Sequence, residues 1–412
     1  MKLDYKKTMI IGLGFFTVSI VWGIYNVAMP LYLKDLGLSG VAVGSVMTID
    51  NFFALIFLPI FGALSDRTSN RYGRRMPYLL IGIPLSAVAF FIIPFAKHTL
   101  LLLMVTVIAM NFFMSIYRAP TVALMPDFTP RPLRSKANGI INFMGGIGAV
   151  ITFLMAGFLF KINEFYPFAG GSLILIITII IMYILIHEPE TIPDEKPVEQ
   201  AGEVPEGKEE KGKVLSLIFL LLAIFFWFTG YNAVETFFST YGEAVLGLGK
   251  SESSFMLAAF SGFLVAFAIP SGFIATKIGR KKTILIGITT LMLTFAGMIF
   301  ARDIRLLYVM LALGGIGWAL ININSYPMVV EMTSNKGIGK YTGYYYFFSM
   351  LAAIVSPILF GFLKDLLGDS LLFIYSALAM VIAFFFMMLV KHGEAKIETK
   401  KGFEGIEHME TR

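Results

Sequence analysis

The chain has no cysteine, only four histidines and three tryptophans among 412 residues, and just 15% of its residues are charged. Without cysteine there can be no disulfide framework, thiolate metal site, iron–sulfur cluster or cysteine nucleophile. His98, His187, His392 and His408 fall at the ends of apolar runs or in polar tails. None therefore sits at metal-ligand spacing from another or in mid-membrane to relay protons. Soluble domains carry roughly 25% charged residues, so the scarcity of charge excludes a soluble enzyme. No catalytic residue, cofactor or metal is expected. The net charge is +6, but the cations lie in segments between apolar runs, which argues against nucleic-acid binding.

Apolar residues make up 57% of the chain. They gather in runs long enough to cross about 30 Å of hydrocarbon as helices. Twelve runs are predicted to span, at about Thr8 to Leu33, Gly40 to Leu64, Tyr78 to Ala96, Thr99 to Leu124, Asn138 to Phe160, Phe168 to Ile186, Val214 to Thr240, Ser251 to Ala275, Thr283 to Ala301, Leu306 to Val330, Tyr341 to Leu363 and Ser370 to Val390. The basic segment Met1 to Lys7 resembles a signal-peptide n-region, but the run after it is too long for an h-region and lacks a small-residue cleavage site, so it reads as an uncleaved helix. Starting inside, twelve spans place 25 of the 33 Lys and Arg on one side. By the positive-inside rule both termini are expected in the cytoplasm of a cell membrane protein.

Pro, Gly and Glu dominate the segment between the sixth and seventh runs, which is read as a solvated tether. The predicted organisation is an amino-terminal six-helix bundle over 1–187, a cytoplasmic linker over 188–213, a second bundle over 214–391 and a cytoplasmic tail over 392–412. The halves repeat. A shift of 204 residues lays Thr121 on Ser325, Asp127 on Glu331, Gly139 on Gly343 and Gly157-Phe158-Leu159 on Gly361-Phe362-Leu363, while Tyr25-Asn26 recurs as Tyr231-Asn232. Duplicated helical membrane chains are most often transporters whose halves rock about a midplane site.

After the second run comes Gly62-Ala-Leu-Ser-Asp66-Arg67, followed by Arg71-Tyr-Gly73-Arg74-Arg75-Met-Pro77. Gly62 is expected to let helices approach closely, and Asp66 to sit at a helix N-terminus. The second copy, Gly272 to Lys282, keeps glycines and basic residues but has Thr276 where the acid would be. This loop resembles the signature of the major facilitator superfamily, and its spacing is similar to that of the sucrose/proton symporters and, less closely, the glycoside/cation symporters. Ala123-Leu124-Met-Pro-Asp127, Ala137-Asn138-Gly139 and Tyr241-Gly242-Glu243 agree with it. The resemblance implies two pseudo-symmetric six-helix bundles, the major facilitator fold, and a gate built from Gly62, Asp66, Arg67, Gly73, Arg74, Arg75, Asp127 and Glu331. It implies a monomer in the lipid bilayer that imports a neutral sugar or glycoside, disaccharides included, by symport with protons or, alternatively, sodium. The chain departs from that pattern in having no carboxylate between Thr8 and Leu33, and in having Val122 where plant relatives carry arginine.

Charges inside a span point to a site, because a lone carboxylate in hydrocarbon costs at least about 2.5–3.5 kcal/mol. Asp50 lies sixteen residues before Asp66, roughly 24 Å along a helix, and is the first candidate for proton coupling; Glu235 is its rival. Arg118, with Asn111, Ser115 and Thr121, makes a polar stripe that must face a cavity or a neighbouring helix. Straight helices would put Arg118 and Asp50 about 11 Å apart in depth. Trp318 and Asn322 form the matching stripe, and Trp22, Tyr25, Asn26, Trp227, Tyr231 and Asn232 add midplane aromatics and amides that suit a saccharide. These residues fall on the first, fourth, seventh and tenth spans. The alternatives are a proton-coupled exporter of drugs or metabolites on the same fold and a non-transporting sensor or scaffold.

Overall fold

The computed structural model describes residues 3–129, 134–188, 209–332 and 338–392. Apart from one 3-10 turn the described regular structure is α-helical, with no strand among the described residues, and it contains twelve helices long and apolar enough to span. The first span is α1 (Tyr5–Asp35), and the second is divided into α2 (Gly40–Met47) and α3 (Ile49–Arg67). Then come α4 (Met76–Ala96), α5 (Leu100–Phe128), α6 (Arg134–Ile162) and α7 (Phe165–Leu185). The second half comprises α8 (Glu209–Leu246), α9 (Lys250–Ile278), α10 (Arg280–Phe300), α11 (Ile304–Val330), α12 (Ile338–Leu367) and α13 (Leu372–Leu389). Most of the expected linker and tail lies outside the described residues.

Duplication is visible in the packing. In the first half α1 packs on α6, α3 on α5, and α4 on both α5 and α7. The second half repeats this with α8 on α12, α9 on α11, and α10 on both α11 and α13. Large apolar side chains such as Leu101 and Phe300 remain exposed on the outer faces, as expected where hydrocarbon is the solvent.

The second span was expected as one helix, and the structure breaks it at Thr48. The Thr48 hydroxyl donates to the Ser45 carbonyl at 2.9 Å and the Ser45 hydroxyl to the Val41 carbonyl at 2.8 Å. Such side-chain bonds back onto the helix compete with its ladder and bend it. Neither proline nor glycine marks the spot, which is why pattern reading passes over it. The break leaves Asp50 in the first turn of α3, where the helix dipole favours a carboxylate.

The two halves meet along α6 with α9, α2 with α12, and α1 with α8. They are clasped at the end of the bundle opposite the linker. Lys34 pairs with Glu243 at 2.7 Å, Glu164 pairs with Lys250, and the Asp365 carboxylate accepts the Gly40 and Val41 amides at 2.5 and 3.1 Å. Glycine makes the α2–α12 contact possible: a Cβ on Gly44 would lie 2.2 Å from the Pro357 carbonyl oxygen, and one on Gly361 would lie 2.1 Å from that of Gly40. Small residues allow such backbone contact between membrane helices. Near the linker the ion pairs Arg75–Asp66, Arg75–Asp127 and Arg280–Glu331 each stay within one half. Gly44→Leu should therefore force the clasped ends apart, at an overpacking cost of about 1–3 kcal/mol. The cysteine-free chain allows spin labels at Tyr166→Cys and Leu367→Cys, both exposed at that end, and their mean separation should lengthen by several ångströms.

Candidate functional site

A cavity of about 240 Å³ lies on the seam between the halves. Trp22, Asn26, Met47, Asp50, Asn51 and Arg118 line it from the first half, and Asn232, Glu235, Thr236, Ala353 and Pro357 from the second. The Asn26 amide donates to Glu235 at 3.4 Å, a contact made across the seam. The Asn51 amide donates to Asp50 at 3.1 Å. Asn232 spends one amide hydrogen bond on the Phe228 carbonyl of its own helix, so its amide oxygen is oriented by its backbone. No ion pair within 4.0 Å joins Arg118, Asp50 or Glu235 to a partner among the described residues. Asp50 and Arg118 nevertheless line the same cavity.

Of the residues singled out in the sequence, Trp22, Asn26, Asp50, Arg118, Asn232 and Glu235 are brought together, and the others stand behind or beside the cavity. Tyr25 is buried and meets the Trp22 ring edge-on at 5.4 Å. Trp227 is only 1% exposed and belongs to the core. Asn111 is buried with its amide on the Val107 carbonyl. Trp318 stacks on Tyr231 with centroids 4.0 Å apart and rings 1° from parallel, which occupies one indole face. Asn322 is exposed and does not line the cavity. The stripe containing Arg118 serves two neighbours, since Thr121 packs where a Cβ on Gly14 would fall. Sequence reading missed Asn51 and Thr236, each adjacent to a flagged acid. It also missed Met47, Ala353 and Pro357, apolar positions that give no chemical signal.

The loop after α3 is held by Arg75, a buried side chain. It pairs with Asp66 at 2.5 Å and Asp127 at 2.9 Å and donates to the Ser65 hydroxyl at 2.6 Å, while Arg74 reaches Asp66 at 3.5 Å. In the second half Arg280 pairs with Glu331. Asp66 does not sit at a helix N-terminus: it ends α3, where the dipole disfavours an acid, and the arginines offset that. Glu188 takes the N-terminal role instead, accepting the Arg74, Arg75 and Met76 amides at 2.6 to 3.0 Å. Gly73 has φ +104°, and a Cβ there would lie 2.6 Å from Glu188. Gly62 makes no close approach, since a Cβ would meet only Ala119 at 3.8 Å. Arg67 is exposed.

Two helical bundles clasped at one end, with charged and amide side chains from both facing a cavity on their seam, make up the architecture of a membrane solute carrier. The Major Facilitator Superfamily model matches residues 11–263 and 244–409, and the chain belongs to that family. It is 23% identical over 333 residues to the class H tetracycline resistance protein of Pasteurella multocida, with 78% of each chain covered. It is also 23% identical over 185 residues to the quinolone resistance protein NorA of Staphylococcus aureus, covering 45% of this chain and 46% of that one. Among solved structures, the nucleoside transporter NupG superposes with a TM-score of 0.70 at 16% identity, covering 95% of this chain and all of that one. A bacterial homolog of the human lysosomal transporter Spinster, in an inward-facing and occupied conformation, gives 0.68 at 14% identity with 95% of both chains covered.

Asp127 is 14% exposed and Asp66 59%, so the cluster should respond unequally to loss of Arg75 and of Asp66. Arg75→Ala strands a nearly buried carboxylate at a cost of about 3–5 kcal/mol, and Asp66→Asn should cost under about 1 kcal/mol. Thermal unfolding in detergent should give that order. At the clasp, burial acts to raise the Glu164 pKa, but hydrogen bonds from Lys250 and Lys97 outweigh it and hold the carboxyl below the usual range. A lowered pKa contributes closure above the ordinary value of about 4.3, and that contribution is lost as pH falls through the lower one. The label separation should therefore stay constant from pH 7 to pH 5 and lengthen only in stronger acid, whereas Glu164→Gln should lengthen it at neutral pH.

Proposed function

We propose that this chain is an alternating-access carrier that imports a neutral sugar or glycoside with protons. Its termini and linker lie in the cytoplasm. The observation that carries the reading is the make-up of the seam cavity. Asn26, Asn51 and Asn232 offer amides for hydroxyl groups, Asp50, Glu235 and Arg118 offer charged hydrogen-bonding groups, and Trp22 offers a ring for the apolar face of a saccharide. A volume of about 240 Å³ lies below the roughly 300–1,000 Å³ of most drug-sized clefts, which favours a compact polar solute. The loop from Asp66 to Pro77, with its likeness to sucrose/proton symporters, supports the same choice. Solute would enter while the clasped end is parted, bind both halves across the seam and leave near the linker once the clasp has re-formed. Asp50 and Glu235 would carry the coupling proton. The placement of 25 of the 33 basic residues on the linker side supports the orientation.

A second reading, proton-driven export of an amphipathic compound, is favoured by the tetracycline and quinolone resistance relatives. Proteoliposome uptake separates the two. A panel of labelled sugars, nucleosides and lipophilic cations is offered with an imposed proton gradient, a sodium gradient or neither. Accumulation of a sugar that collapses when the proton gradient is dissipated is the expected result. Transport of lipophilic cations with no sugar accumulated would replace symport by export, and accumulation under the sodium gradient alone would replace the ion.

A further inference from the structure

Asp50 comes from the first half and Glu235 from the second, yet both line one cavity. Asn26, on the first half, holds the Glu235 carboxylate across the seam. Arg118 is the cation of that lining; no Lys or His is among its residues. The phenols nearest the acids are Tyr25, packed behind Trp22, and Tyr231, covered by Trp318. The charged inventory of the cavity is thus two carboxyl groups and one guanidinium.

A cavity at membrane depth tolerates net charge poorly once it is occluded, each unbalanced charge costing at least about 2.5–3.5 kcal/mol. Arg118 cannot give up its proton. With no proton on the acids the cavity carries one negative charge, and with two it carries one positive charge. Only a single proton makes it neutral.

We propose that Asp50 and Glu235 form one proton site divided between the two halves, with Arg118 as its fixed counter-charge, so that a single proton accompanies each neutral solute through the occluded state. This inference rests on the proposed symport and deepens it. The proton arrives from hydronium on the open side, forms an O–H bond on one of the two carboxylates, and is returned to water on the other side. No bond to the solute forms or breaks. Because the acids belong to different halves, rocking changes their separation while Arg118 stays with Asp50. A monovalent cationic solute would satisfy the same charge count without any proton, which makes the site selective by charge as well as by shape.

The count can be read without a solute, so its failure is distinguishable from failure of the sugar reading. Infrared spectra of the protein in nanodiscs at neutral pH resolve the carbonyl stretch of protonated carboxyl groups, with the double variant Asp50→Asn/Glu235→Gln as the zero reference. One protonated carboxyl is expected in the unsubstituted protein, none in Asp50→Asn or Glu235→Gln, and a doubled band in Arg118→Gln. Zero or two protonated carboxyls in the unsubstituted protein, measured against that reference, would overturn the proposal. A wild-type band that persists in Asp50→Asn would overturn it too, since Glu235 would then hold its proton irrespective of the charge balance.

Discussion

The rest of this structure depends on the cost of placing charge in hydrocarbon. Asp50, Arg118 and Glu235 cannot face lipid, and each six-helix half is too tightly packed with apolar side chains to take them inside. They go to the seam, where each finds other polar groups from both halves. The same cost keeps the seam from being fully apolar, although apolar packing runs on from one half to the other around the cavity. A protein whose polar groups must lie between two rigid bodies has its site and its hinge line in one place.

Duplication sets the scaffold, and departures from it set the chemistry. Arg75 with Asp127 and Arg280 with Glu331 are the same device in the two halves. Their contacts with neighbouring helices follow the same plan. The cavity does not follow it. Asp50 and Arg118 occur only in the first half, and Glu235 only in the second, where the repeat places Met29 and Asn322 at the positions matching Glu235 and Arg118. A symmetric cavity would duplicate every charge, and four carboxylates with two guanidinium groups would be harder to balance than the present three charged groups.

Much of this was legible in the sequence for a physical reason. In a membrane, polarity out of place is informative, and Asp50, Arg118 and Glu235 stand out against apolar runs as they never would in a soluble chain. The aromatics gave a weaker signal. Trp22 reaches the cavity, whereas Trp227 sits in the core and Trp318 is covered by Tyr231, because an indole suits both settings equally well. The break at Thr48 was hidden because it uses hydroxyl bonds to the backbone, which any helical serine or threonine can make. The helix-terminal role went to Asp66 in the sequence because Glu188, which caps α4, lies over a hundred positions further along the chain. Lys34, Lys97, Lys250 and Lys364 read as scattered loop charges, and only the meeting of the halves brings Lys34 onto Glu243 and Lys250 onto Glu164, which Lys97 reaches from within the first half.

That distinction between charges within a half and charges between halves bears on how the carrier moves. The Arg75 cluster joins α3, α4 and α5 of one half, so rocking leaves it intact, and it stiffens the body that moves. The contacts of Lys34, Glu164 and Asp365 are made across the seam and must be broken for the clasped end to open. Exposed ion pairs are worth about 0–1 kcal/mol each, so the charged clasp supplies only a few kcal/mol, the scale on which two conformations interconvert. A stronger clasp would trap the carrier with one end shut. A solute that binds both halves across the seam then needs only a comparable difference in affinity between the states to set the direction of the swing. The clasp is thus weak enough to leave the balance between states within reach of what a bound solute supplies.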